Sequence, residues 1–324
     1  MFAQQLASGM LNEALFAYSI ERTRQIRPDD RFAHYTSLAV AEKIIETELV
    51  PRNLWLRNSQ GMNDFSEVSH GLDCLNDALD DWRLNGRFER ALNAIHPDMS
   101  AKIMVPMMMS GAYLADRSYL TSLSLHSREE ALSGKLSMWR AYGLPQNVCL
   151  VFNTQPFLTY QTAWELVLSP VLYGGAAEFK REFEALIQRL ERCAGQLSSL
   201  DPAVVQADIV RAMEFAVLST KHRGFHEEVE WRIIHQHSDF RPDPPSEKVT
   251  VNGKEELVYH LQLENNEKAG IWGSTLNEAL DRIIVGPVAN SGETIERLVD
   301  LLGGAGILRA KDRVVSCGIP FRSV

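Results

Sequence analysis

Glu228 and Glu230, followed by Arg232, are the residues in this chain whose types and spacing most directly permit chemistry. They lie in Glu228-Val229-Glu230-Trp231-Arg232-Ile233-Ile234, which alternates polar and apolar side chains as a half-buried strand does. Side chains two apart on a strand point the same way. This reading therefore puts Glu228, Glu230 and Arg232 on one face, with Val229, Trp231 and Ile233 filling the core behind it. Glutamate is a poor strand former, and two carboxylates on one face repel each other, so the arrangement needs a reason. One reason is a solvated face whose charges Arg232 offsets. The other is a pair of carboxylates at the floor of a cleft, the side chains that general acid–base work uses.

Composition bounds what such a cleft could serve. The chain has 324 residues, 45% hydrophobic and 23% charged, enough for a sizeable core. A net charge of -9 argues against broad electrostatic binding to nucleic acid or anionic membrane. Cys74, Cys149, Cys193 and Cys317 are far apart and form no CxxC pair, so reduced thiols in a cytoplasmic protein are expected. The N-terminus lacks the basic-then-apolar pattern of a signal peptide, and no apolar run is long enough to span a bilayer. His222, His226, His235 and His237 match no common zinc spacing, and neither GxxxxGK[ST] nor GxGxxG occurs.

The elements that must position the glutamates follow from periodicity. Residues 1–26 read as an amphipathic helix, and 1–30 as a helical arm that packs on the body or offers its stripe to a partner. A strand at Arg31–Ser37 leads into a helix from Leu38 to about Glu48, with Thr36 or Ser37 as N-cap. A short strand near Asn53–Leu56 precedes a turn at Gly61, Asn63 and Asp64 and a helix to about Trp82. Met99–Asp116 reads as one buried helix, and Tyr119–Leu125 as a strand with Ser122 and Ser124 on one face. Ser127 and Glu130 form a capping box that opens a helix through Met138, Trp139 and Tyr142. Asn147–Phe152 is an apolar strand, in which Cys149 is core. Two helices at about 176–198 and 202–220 form a helical insertion at about 175–220, capped by Asp201 and Pro202. Strands at about 248–251, 256–263, 281–286 and 313–316 and a helix at 292–302 complete an α+β domain over 31–324.

The order of these motifs carries a resemblance. His34-Tyr35-Thr36-Ser37, Asn63-Asp64-x-x-Glu67, Ser122-x-Ser124, Met138-Trp139-x-x-Tyr142-Gly143 and Glu228-x-Glu230-Trp231-Arg232 resemble a bacterial family known as domain of unknown function 2971. So do Val285-Gly286-Pro287 and Ile319-Pro320-Phe321-Arg322 near the end, and the match runs from residue 31 onward. That family name assigns no activity. A strand starting with His, a Ser-x-Ser strand and a Glu-x-Glu strand, in that order, are also similar to the ADP-ribosyltransferases, which bind NAD between two small sheets.

This second resemblance implies an ADP-ribosyltransferase-like split β-sheet core with helical insertions. It implies that Glu230 is the catalytic glutamate holding the nicotinamide ribose, and that Glu228 orients or deprotonates the acceptor. Ser122 would support NAD and the glutamate, and His34 would contact the ribose. Tyr35, Trp139 and Tyr142 are candidates for clamping nicotinamide, with Thr36, Asn63, Ser124 and Arg232 completing the NAD-binding set. The pattern departs from that family in reading Ser-Leu-Ser and in carrying the insertion at about 175–220. The implied activity consumes NAD and transfers ADP-ribose to a macromolecular acceptor, protein or nucleic acid. Such enzymes serve as toxins or phage-defence effectors, which makes an antitoxin or a chaperone a second expected partner. A non-catalytic nucleotide- or protein-binding module and an NAD glycohydrolase are the alternatives.

Overall fold

The computed structural model describes residues 2–46, 52–61, 66–107, 111–142, 147–159, 166–237, 243–251, 253–267, 271–288 and 291–320. Its strands, in chain order, are β1 (Arg31–Ser37), β2 (Asn53–Asn58), β3 (Ser118–His126), β4 (Asn147–Asn153), β5 (Val167–Pro170) and β6 (Leu172–Tyr173). They continue with β7 (Thr220–Lys221), β8 (Glu230–Gln236), β9 (Ser246–Val251), β10 (Lys254–Gln262), β11 (Leu280–Val285) and β12 (Val314–Ser316). The residues gather into two compact units, one of 1–25, 58–118 and 169–226, the other of 26–57, 119–168 and 227–324. Among the described residues no helix is long and apolar enough to cross a membrane. All four cysteines are buried and unbonded.

The first unit is mostly helical. Ala176–Leu197 and Pro202–Leu218 form the expected helix pair. Asp201 accepts from the Ala203 N–H at 2.8 Å, and Pro202 stands at the first helical position, where its missing N–H costs nothing. Helix Ala176–Leu197 packs on Ser66–Asp80 and Trp82–Ile95, where Phe88 meets Phe183 edge-on at 5.0 Å. The amphipathic N-terminal segment is two helices, Phe2–Leu15 and Ala17–Arg24, rather than one. The first packs on Ala176–Leu197, and its Ala7, Leu11 and Ala14 are buried. Of the helix expected over 99–116, Met99–Met107 and Gly111–Arg117 are helical, and 108–110 lie outside the described residues.

The second unit holds an open mixed sheet. Its main path runs β12-β11-β4-β1-β3-β2-β10-β9, with β8 pairing β3 and β5 pairing β8. β1 and β4 are antiparallel along the whole of Arg31–Ser37. β11 and β12 are parallel, which the intervening helix Ser291–Gly304 permits. One face of the sheet buries Phe32, Phe152, Phe157 and Trp231 in a single apolar cluster. The rings meet edge-on, Phe32 with Trp231 at 5.7 Å and Phe32 with Phe157 at 5.8 Å. Each such side chain contributes about 1.5–3 kcal/mol by burial. The other face carries a smaller cluster around Tyr35, Trp139 and Cys149.

Two expectations are corrected here. The helix after the Ser127–Glu130 capping box does not run through to Tyr142. It stops at Ser133, Gly134 turns the chain at φ 74, and a new helix spans Leu136–Ala141. Gly134 is required twice over, since a Cβ there would lie 2.6 Å from the Trp139 indole. The strand expected from Glu228 begins instead at Glu230. Glu228 ends a 3₁₀ turn, and Val229 sits at φ 44, so the alternation that seemed to unite Glu228 with Glu230 is broken between them.

Candidate active site

β3 is the branch point of the sheet. β1 pairs with it only from Arg31↔His126 to Ala33↔Ser124, and beyond Ala33 the two strands part. There the His34 ring meets the Ser122 carbonyl, Nδ1 to O at 3.2 Å. Burial pulls the His34 pKa down, which favours the neutral ring. On the other edge of β3, the Leu125 N–H donates to Val229 O at 2.9 Å, fastening the entry to β8.

The face opposite the large apolar cluster forms a crevice lined by Ala33, Tyr35, Ser122, Ser124, Met138, Tyr142, Glu228 and Glu230. Its cavity volume is about 20 Å³, room for roughly one water and far below that of small-molecule sites, so a dinucleotide would enter only as the crevice opens. Glu230 is 5% exposed and Arg232 2% exposed. Arg232 grips the carboxylate with two bonds, Nε to Oε1 at 2.8 Å and Nη2 to Oε2 at 3.1 Å. Ser122 Oγ donates to the same Oε1 at 2.5 Å. Three charge-assisted bonds therefore fix one carboxylate, and a buried ion pair needs such bonds to offset its desolvation.

Glu228 reaches this crevice by a different route from the one its spacing implied. Its carbonyl accepts from Ser124 Oγ at 2.5 Å and from Lys135 Nζ at 3.4 Å. Lys135 also donates to Leu125 O at 3.0 Å and lies 3.9 Å from Glu130. Burial lowers the Lys135 pKa, an effect that Glu130 and Glu228 oppose. The backbone around Glu228 is thus tied to β3 by a serine and a buried lysine. The lysine escaped the sequence reading because a Lys beside the Gly134 turn has no spacing that marks it as buried.

Of the aromatic candidates, Tyr142 and Tyr35 line the crevice and stack at 6.3 Å with planes 20° apart. The Tyr35 hydroxyl accepts from the Lys135 N–H at 2.7 Å and lies 3.1 Å from His126 Nε2. Burial pushes the Tyr35 pKa far up, so the phenol stays protonated. His126 moves the other way: burial, helped by the Lys135 charge, pulls its pKa down to about 3. Trp139 is core, edge-on to Tyr35 at 4.8 Å, with its indole N–H donated to Ser133 O at 3.0 Å. It does not line the crevice, and neither do Thr36, which pairs opposite Val148, nor His34. Asn63 lies outside the described residues. Among the described residues no group of three or more His, Cys, Asp or Glu could hold a metal ion.

The site thus belongs to a mixed α+β fold, at a point where an open sheet divides. Residues 138–233 match a family model described as protein of unknown function (DUF2971). That stretch includes Tyr142, Glu228, Glu230 and Arg232. No curated protein and no solved structure matches the chain.

Proposed function

We propose that this protein is an NAD-consuming ADP-ribosyltransferase with Glu230 as its catalytic carboxylate. The observation that carries the reading is the Ser122–Glu230 hydrogen bond of 2.5 Å. It joins the Ser-x-Ser strand to the start of the Glu-x-Glu strand, and the His strand borders the same β3. Breaking the nicotinamide–ribose bond develops positive charge on the sugar, as glycoside hydrolysis does. A carboxylate already fixed in place stabilises that charge without reorganising. Glu228, on the same crevice, serves as base toward the acceptor hydroxyl, amine or thiol. Tyr142 offers a ring face to nicotinamide, and Ser122 and Ser124 offer hydroxyls. The acceptor is a macromolecule, and the cellular setting we propose is a cytoplasmic toxin or phage-defence effector restrained by an antitoxin or chaperone.

A second reading, a non-catalytic binding module, is favoured by the small crevice and by the full engagement of Glu230 with Arg232. The two readings part on one assay. Nicotinamide release from NAD is measured with a cell lysate as acceptor source, for wild type, Glu230→Gln and Ser122→Ala. The transferase reading expects ADP-ribose on a macromolecule and a loss of about 10²-fold or more on Glu230→Gln. It expects a smaller loss on Ser122→Ala, with the circular dichroism of both variants unchanged. Release without transfer identifies a glycohydrolase. Wild-type protein that neither releases nicotinamide nor binds NAD by calorimetry is a binding module.

A further inference from the structure

The helical unit holds a second cavity, of about 110 Å³, with walls that include Phe16, Phe179, Phe183, Leu186, Met213 and Phe215. The Phe16 and Phe215 rings stand 6.5 Å apart and tilted at 45°. Set into this lining is Ser219, 4% exposed, whose hydroxyl has no hydrogen-bond partner among the described residues. Its backbone is engaged: the N–H donates to Ala216 O at 3.3 Å, and the carbonyl accepts from the Leu172 N–H at 2.7 Å. The neighbouring Thr220 takes the usual course for such a hydroxyl, bonding back to Ala216 O at 2.7 Å. A buried hydroxyl left without a partner costs about 1–3 kcal/mol, so the Ser219 hydroxyl is a group in want of a ligand.

Size and charge narrow the class of that ligand. A dry apolar cavity of about 150 Å³ accepts benzene, so a cavity of about 110 Å³ suits no more than a single ring. Aromatic walls favour a ring that can meet them edge-on or offset. Glu182 and Arg189 both join the lining, one of each sign, so neither an anion nor a cation is selected. Arg189 Nε already donates to Ala14 O at 3.0 Å, and the Tyr18 hydroxyl donates to Val171 O at 3.4 Å.

We propose that this cavity binds a neutral aromatic molecule of one ring carrying a single hydrogen-bonding group, which Ser219 satisfies. Phenol and benzene are the probes, one with that group and one without, and saturation-transfer NMR titration on the full chain gives both affinities. The proposal expects both rings to bind, with phenol about fivefold or more tighter, the value of one hydrogen bond. Ser219→Ala should erase that difference. Ala216→Phe, which puts a ring into the space, should abolish both signals, and should Ala216→Phe not fold, the Ser219→Ala comparison decides alone. The proposal is overturned if neither probe receives saturation at millimolar concentration, which leaves a cavity for water. It is also overturned if phenol and benzene bind wild type equally, if their difference survives Ser219→Ala, or if a folded Ala216→Phe binds as wild type does.

Discussion

At the scale of single residues, Glu230 is defined by what holds it. A carboxylate fixed by a guanidinium fork and a serine is pre-positioned, but it also depends on both partners. Replacing Arg232 by Lys keeps the charge and loses the fork, because an ammonium is a point charge on a flexible stem. We expect Arg232→Lys to lower nicotinamide release by about 10-fold, since small misplacements at a reacting centre are costly. It should also lower stability by about 1–3 kcal/mol, the range for a buried polar group left short of a bond, read by urea unfolding. His126 gives a pH prediction at the same scale. Its pKa is about 3 in the folded protein and near 6.5 in the unfolded chain, so the unfolded state binds a proton first as pH falls. The stability that neutral His126 contributes is present above about pH 6.5 and declines as pH drops toward 3. His126→Asn should flatten that acid limb in urea unfolding between pH 6.5 and 4, and a limb as steep as in wild type would assign the effect elsewhere.

At the scale of elements, the backbone at Val229 decides how the two glutamates relate. A β-branched residue at positive φ is strained by about 1–3 kcal/mol and persists only where its surroundings over-determine it. Here the Leu125 N–H holds its carbonyl, while Ser124 and Lys135 hold that of Glu228. Val229→Gly relieves the strain while losing a half-buried side chain and adding unfolded-state freedom, terms of similar size. Its stability should therefore stay within about 1 kcal/mol of wild type, whereas Val148→Gly in fully buried β4 should lose about 3 kcal/mol or more. Activity should nonetheless fall in Val229→Gly, as the loop that presents Glu228 loosens. This turn also marks the limit of what the chain discloses. Periodicity located β1 at Arg31–Ser37, the Ser127–Glu130 box and the helix pair capped by Asp201, because each depends on neighbours a few residues away. Polar–apolar alternation records burial but not φ, so it ran straight through Val229. The branch at β3 depends on partners 88 and 108 residues distant, as the His34–Ser122 and Ser122–Glu230 contacts show, and no local pattern encodes it.

At the scale of the whole molecule, the charge balance bears on the acceptor that the proposed transferase would use. A net charge of -9 repels polyanions at long range, and binding to nucleic acid draws its affinity from phosphates neutralised by lysine and arginine. The crevice itself contributes two carboxylates, while its nearby cations are committed, Arg232 to Glu230 and Lys135 to main-chain carbonyls. A phosphate backbone approaching this site would meet the two crevice carboxylates, so a protein acceptor fits better than DNA or RNA. Lysate incubated with NAD labelled on its adenylate phosphate and with wild-type protein should accordingly yield label that protease removes and nuclease leaves in place. Label released by nuclease, with transfer rates that fall steeply as salt rises, would instead mean that a local basic path outweighs the global charge. Label in neither fraction, alongside continued nicotinamide release, would make water the acceptor and leave Glu228 with only a water molecule to activate.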